Sequence, residues 1–202
     1  MKDGRTGRPR GFDEGAALEA AMRVFWTHGY EGATLADLTK AMGINRSSLY
    51  AAFGDKEALF RSVIARYRQG PMQYIRQALA QPTLRKVVEN LLYETVEFLA
   101  TPGNPRGCLS LQGALACGAG GALAQQALVE WRKKGEAAFK KRFLQAQKDG
   151  ELDPSFNAGD FARFLSSLMA GLGVQAANGA ARAEMMRIVD ITLQLMSGQQ
   201  VW

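Results

Sequence analysis

From Thr34 to Phe60 the apolar positions fall into two short helical stripes with a break between them. Leu35, Leu38 and Met42 recur at three- and four-residue spacing, Ile44 stands alone, and Leu49, Ala52 and Phe53 resume the pattern. Positions three and four apart share a helix face, so this spacing predicts two short helices with inward faces and an anchor between them. Gly43 suits a left-handed residue ending the first, and Asn45 suits the cap that starts the second. Such a pair is a helix-turn-helix, and its second helix has the size to lie in a DNA major groove.

The polar face of that second helix follows by subtraction. If Leu49, Ala52 and Phe53 point inward, Arg46, Ser47, Tyr50 and Ala51 point outward, with Ser48 lateral. Arg46 can offer a fork of donors to a guanine edge or a phosphate, Ser47 one hydroxyl, and Tyr50 a phenol that suits phosphate. Ala51 can offer only a methyl, for example to thymine.

The remaining chain also reads as helix. A stripe of Leu18, Ala21, Met22 and Phe25 precedes the helix-turn-helix. After it, helices are expected over 55–69, with a kink at Gly70-Pro71 before 72–79, then from Pro82 to Leu99, 108–116, 122–148, 157–177 and 181–197. The expectation is an all-α chain of about nine helices. Its organisation is read as a basic flexible arm at 1–11, a DNA-binding domain at 12–55 and a larger helical domain at 56–202.

Composition changes this picture little. The 202 residues are 47% hydrophobic with a net charge of +6, and no apolar run of membrane-spanning length or secretory leader is visible. Two cysteines make no disulfide framework, so a cytoplasmic location is the default expectation. Charge distribution is more informative. Residues 1–68 hold eleven Lys/Arg against eight Asp/Glu, and the whole surplus sits in residues 1–10, with Lys2, Arg5, Arg8 and Arg10 against Asp3. Such a Gly/Pro-punctuated basic arm suits a nucleic-acid backbone or minor groove. A second basic run, Arg132-Lys133-Lys134 and Lys140-Lys141-Arg142, is read as a solvated helix face.

Residues 12–68 resemble the DNA-binding domain of the TetR family of transcriptional regulators. The resemblance rests on A-A-M-R-V-F-W-T-H-G-Y-E-G-A-T-L upstream, the helix-turn-helix itself, and L-Y-A-A-F-G-D-K-E-A-L-F downstream. It implies that Thr34 and Asp55 are caps and that Lys56 contacts phosphate. The DNA-facing set is then Arg8, Arg10, Thr34, Asn45, Arg46, Ser47, Ser48, Tyr50, Ala51 and Lys56. Two positions depart from the family pattern: Thr39 replaces a small alanine, and Ala51-Ala52 replace a bulkier pair. The partner implied is a palindromic double-stranded operator, bound by a homodimer.

The last two helices carry apolar sets wide enough to pack on the domain and on a partner. The expected seam is Phe161, Leu165, Leu168, Leu172, Met185, Ile188, Val189, Thr192, Leu195 and Met196. In proteins that the chain resembles, two such helices per subunit form a four-helix bundle. The resemblance also implies a small-molecule pocket, for which the candidates are Phe98, Cys108, Leu111, Leu115, Trp131, Phe139, Phe143, Phe164 and Met169. Few convergent polar groups accompany them, so a small apolar or electrophilic effector is expected. Cys108 follows Pro105-Arg106-Gly107 at an expected helix start, a setting that favours thiolate, although an inert thiol is the simpler reading. Cys117, nine residues on, would lie about 13 Å away along one helix, so a disulfide between the two is not expected.

An enzyme is not expected. His28 is the only histidine, which leaves histidine triads and histidine metal sites without parts, and no phosphate-binding glycine motif is present. No cofactor is implied. The expected function is a one-component repressor released from DNA by a small molecule or by thiol modification. The alternative is a helical protein-binding adaptor without sequence-specific DNA binding.

Overall fold

Each early helix starts at a side-chain cap. In a computed structural model, which describes residues 12–115, 118–198 and 201, Asp13 Oδ1 accepts from the Gly15 and Ala16 amides and opens α1 (Glu14–Gly32). Thr34 and Asp37 form a reciprocal capping box for α2 (Leu35–Met42). Asn45 Oδ1 accepts from Ser48 N at 2.8 Å to open α3 (Arg46–Phe53), and Asp55 accepts from Ala58 N at 2.8 Å to open α4 (Lys56–Gln69). Each such cap typically contributes about 1 kcal/mol. Gly43, at φ 66°, ends α2 in the left-handed region that costs other residues strain. Its turn is open on the outer side, where an added Cβ would meet nothing.

Ten α-helices and one 3-10 turn are present among the described residues, against about nine expected. The difference lies at Gly70-Pro71, where α4 ends and a separate α5 (Gln73–Leu79) begins. Then follow α6 (Leu84–Ala100), α7 (Leu109–Gln112), the 3-10 turn Ala119–Gly121, α8 (Ala122–Lys148), α9 (Ala158–Ala177) and α10 (Arg182–Gly198). The helix expected over 108–116 is therefore cut short. At its end the Gly113 carbonyl accepts from Tyr30 N at 2.6 Å, which ties the segment after α7 to α1.

Two apolar clusters form the interior. The first joins Met22, Phe25, Leu38, Leu49, Phe60 and Tyr67 with Cys108, Leu109 and Leu128 from later in the chain. The second joins Leu91, Leu92, Phe143, Leu165 and Val189 from α6, α8, α9 and α10. Leu99 packs against both. Thr39 does not disturb the first cluster, because its Oγ1 donates back to Leu35 O at 2.8 Å within its own helix.

The segment from 103 to 118 stitches α1 to the larger domain. Arg23 donates to Gly103 O at 2.7 Å, Trp26 Nε1 to Gly107 O at 3.1 Å, and Gly118 N to Glu31 Oε1 at 2.7 Å. Helix α1, which precedes the helix-turn-helix, is thus held by backbone groups of the chain that follows α6.

Candidate nucleic-acid interface and internal cavity

The outward face of α3 is built as its spacing requires. Leu49 is fully buried, while Arg46, Ser47, Tyr50 and Ala51 are exposed and Ser48 is half-buried. Ser47 Oγ donates to Asn45 Oδ1 at 2.6 Å, so the cap also orients the serine beside the turn. Thr34 caps the start of α2, its hydroxyl donating to Asp37 Oδ2 at 2.6 Å. Lys56, at the start of α4, lies 4.6 Å from the Tyr30 ring centroid, a cation–π contact that ties the first turn of α4 to α1. Arg8 and Arg10 lie outside the described residues. The face offers a guanidinium, hydroxyls, a phenol and an ammonium, with no carboxylate on α3 itself.

A cavity of about 340 Å³ opens in the larger domain between α5, α6, α7, α8 and α9. Of the expected pocket residues, Phe98, Cys108, Leu111, Trp131, Phe139 and Met169 line it. Three do not. Leu115 lies beyond the early end of α7 and is 63% exposed. Phe143 is one turn past Phe139 and wholly buried against Phe161, with ring centroids 4.8 Å apart. Phe164 is half exposed, because α9 turns Leu165 and Met169 inward instead.

Sequence reasoning missed the polar groups of this cavity: Tyr74, Thr95, Ser110, Arg132, Glu136, Arg163, Ser166 and Ser167. Arg132 belongs to the run read as solvated, yet its guanidinium reaches back to the Ser110 carbonyl. A signal was available, since Arg132 and Glu136 share a helix face with Phe139. Most of the polar groups are already engaged. Thr95 Oγ1 donates to Leu91 O at 2.6 Å, Tyr74 and Thr95 hydroxyls lie 3.2 Å apart, and Arg163 pairs with Glu136 at 3.3 Å.

Cys108 is buried on the cavity wall, not displayed at an open helix end. Its Sγ lies 2.9 Å from Ser110 Oγ and 3.4 Å from the Tyr67 hydroxyl of α4. Burial, and then the sulfur beside it, push the Tyr67 phenol well above the usual tyrosine range, so Tyr67 stays neutral. Burial also raises Tyr74. Gly173 of α9 makes the close approach possible, because a Cβ there would stand 2.8 Å from Leu111 Cδ1 and 3.6 Å from Cys108 Cβ. Cys117 lies outside the described residues.

Most residues of the expected dimer seam face the subunit's own core. Phe161, Leu165, Leu172, Met185, Val189, Thr192 and Met196 are buried within the subunit's own core, and Leu168 and Ile188 are half-buried against it. Only Leu195 of that set stands well out, at 66% exposure. The outward faces carry Phe164 and Val174 on α9 and Ile191 and Leu195 on α10. Spacing alone identifies the apolar positions of such helices; which stripe faces the core is decided by the crossing of α9 and α10 over α6 and α8.

The N-terminal pattern at residues 17–63 is that of the bacterial regulatory proteins of the tetR family, and residues 81–189 match the tetracyclin repressor-like C-terminal domain. The chain belongs to the TetR family. Among TetR-family structures, a cysteine-substituted CifR bound to a 26-base-pair operator duplex is 39% identical, with a TM-score of 0.89 over 93% of this chain and 98% of that one. The transcriptional repressor ComR of Escherichia coli K12 is 30% identical over 94% of this chain and 91% of its own length. The regulator YezE of Bacillus subtilis is 29% identical over 94% and 99% respectively. As a TetR-family protein the chain is a regulator rather than an enzyme. Among the described residues no group of three or more His, Cys, Asp or Glu could hold a metal ion, and no helix is long and apolar enough to cross a membrane.

Proposed function

We propose that this TetR-family regulator is a cytoplasmic homodimeric repressor of a palindromic operator, released when the cavity is occupied or its thiol modified. The observation that carries this reading is the set of direct ties between cavity wall and DNA-binding helices. Gly107 holds Trp26, Gly113 holds Tyr30, and Cys108 touches Tyr67 of α4. A ligand that repacks Cys108 or Ser110 therefore displaces both α1 and α4, and with them the separation of the two recognition helices. Half-sites one DNA turn apart require that separation to be about 34 Å, so a modest shift weakens binding. A few kcal/mol of differential affinity between the two dimer states is enough to move the equilibrium.

Repression is supported by ComR, a repressor by name, and DNA binding by CifR on its operator. The outward apolar stripes of α9 and α10 supply a self-complementary surface that a two-fold dimer can bury. Arg8, Arg10, Thr34, Asn45, Arg46, Ser47, Ser48, Tyr50, Ala51 and Lys56 would form the DNA contact of each half-site.

Selection from random duplexes, followed by footprinting, tests the reading. Enrichment of one palindrome is expected. Weak, salt-insensitive binding to every duplex would favour a protein-binding adaptor instead. The thiol route has its own observation in its favour, since Cys108 lines the cavity. Operator release by electrophiles should disappear in Cys108→Ser, and its persistence would leave non-covalent occupancy as the trigger.

A further inference from the structure

Among the charged groups of the cavity, Arg132 is the one without a counterion. Arg163 is paired with both Glu136 and Asp160, at 3.3 Å each, which also uses the cavity's only described carboxylate. Arg132 forms no ion pair with any described residue; one arm of its guanidinium donates to the Ser110 carbonyl, leaving the rest of the fork for another acceptor. It is half-buried, and that partial burial draws its pKa downward, although an arginine remains charged at neutral pH. A partly desolvated guanidinium fixed at one edge by a carbonyl is pre-organised for a planar, two-oxygen anion.

The approach to the cavity carries the same sign. Met72, Ile75, Trp131 and Gly135 line both this cavity and a second hollow, which is bordered by Arg68, Arg76 and Lys134 and by no acidic side chain. None of these three cations has an ion-pair partner among the described residues. A rim of one sign concentrates and steers ligands of the other. Phe98, Leu111 and Phe139 give the cavity an apolar lining.

We propose that the cavity binds an amphipathic monocarboxylate, its carboxylate on Arg132 and its aryl or acyl body against Phe98 and Phe139, entering by the basic rim beside Trp131. This rests on the cavity being the effector site and replaces a wholly apolar effector with an anionic one.

Calorimetric titration of the full chain, free of DNA, with phenylbutanoate and with phenylbutanamide tests the assignment. The wild type should bind the carboxylate about tenfold or more tighter than the amide, the worth of a charge-assisted hydrogen bond. Arg132→Gln should erase that preference, and Arg132→Lys should retain part of it. Replacing Arg68, Arg76 and Lys134 together by Gln should keep the preference but slow association and flatten its salt dependence. Equal affinity of the two probes for the wild type, binding of neither, or a preference that survives Arg132→Gln would each overturn the proposal. The wild-type comparison decides even if an Arg132 variant folds poorly. If the preference obeys Arg132 while saturating carboxylate leaves operator complexes intact, the site stands and the release mechanism falls.

Discussion

Trp26 and Gly107 lie 81 residues apart, and the indole Nε1 of the first donates to the carbonyl of the second at 3.1 Å. The bond is buried, and the indole around it is packed edge-on to Tyr67 and stacked on Phe98, with centroids 4.9 and 5.6 Å away. One side chain of the DNA-binding unit therefore touches the loop before Cys108, the helix that leads out of that unit, and the cavity wall.

Trp26→Phe preserves an aromatic body there while removing the donor. It leaves the buried Gly107 carbonyl unsatisfied, at an expected loss of about 1–3 kcal/mol in urea denaturation. Release of the operator by a cavity ligand should also weaken, because one of the ties between the cavity wall and α1 is lost. An unchanged urea midpoint would mean that the carbonyl finds another partner and that the tie contributes nothing.

On DNA, the residues of the recognition face should separate by what they read. Arg46→Ala is expected to cost about 1–3 kcal/mol and to relax preference at one base position, if the fork reads a guanine edge. Tyr50→Phe should weaken binding by loss of one phosphate hydrogen bond. Lys56→Ala should weaken all duplexes alike and lower the slope of log affinity against log salt by about one. Fluorescence anisotropy across a salt series distinguishes them. A Lys56 variant that lost affinity for one sequence only would contradict its role on the backbone.

How much of this was legible beforehand depended on how local the cause was. The caps at Thr34, Asn45 and Asp55, the turn at Gly43 and the outward Arg46–Tyr50 pair are set within a few residues, and their spacing reveals them. Arg132 was misread because its environment is made by α7, more than twenty residues upstream, and no helical periodicity reports a carbonyl there. Phe164 and Phe143 were misplaced for a related reason: aromatic spacing marks apolar positions, but the rotation of α8 and α9 about their axes is decided by what they pack against. Leu115 lies past the end of α7 at Gln112, where Gly113 is tied to Tyr30 from far back in the chain, a contact no local spacing reports.

The same question of rotation gives a test of the dimer surface. Ile191 and Leu195 are 57% and 66% exposed on one face of α10, while Val189 is fully buried on the other. Ile191→Glu and Leu195→Glu should yield monomers in sedimentation velocity with unchanged helical content. Val189→Ala should keep the dimer and lose roughly 1–3 kcal/mol of fold stability, the cost of deleting buried methyl groups. A Leu195→Glu protein that remains dimeric would place the seam elsewhere.

Acid should weaken the entrance to the helix-turn-helix through Asp37. The Thr34 hydroxyl, and after it the Thr34 amide, donate to its carboxylate and hold its pKa below the ordinary aspartate value. The folded protein thus prefers the ionised form more than the unfolded chain does. Its contribution is complete above the unfolded pKa, and it is lost as pH falls through the lower folded one. Asp37→Asn keeps the shape of the capping box without the charge, so its urea midpoint should lie below that of the wild type near neutrality. The gap should close as pH drops through the aspartate range, where the wild-type carboxyl takes up its proton. Midpoints that run parallel throughout the acid titration would show that this carboxylate's charge does not stabilise α2.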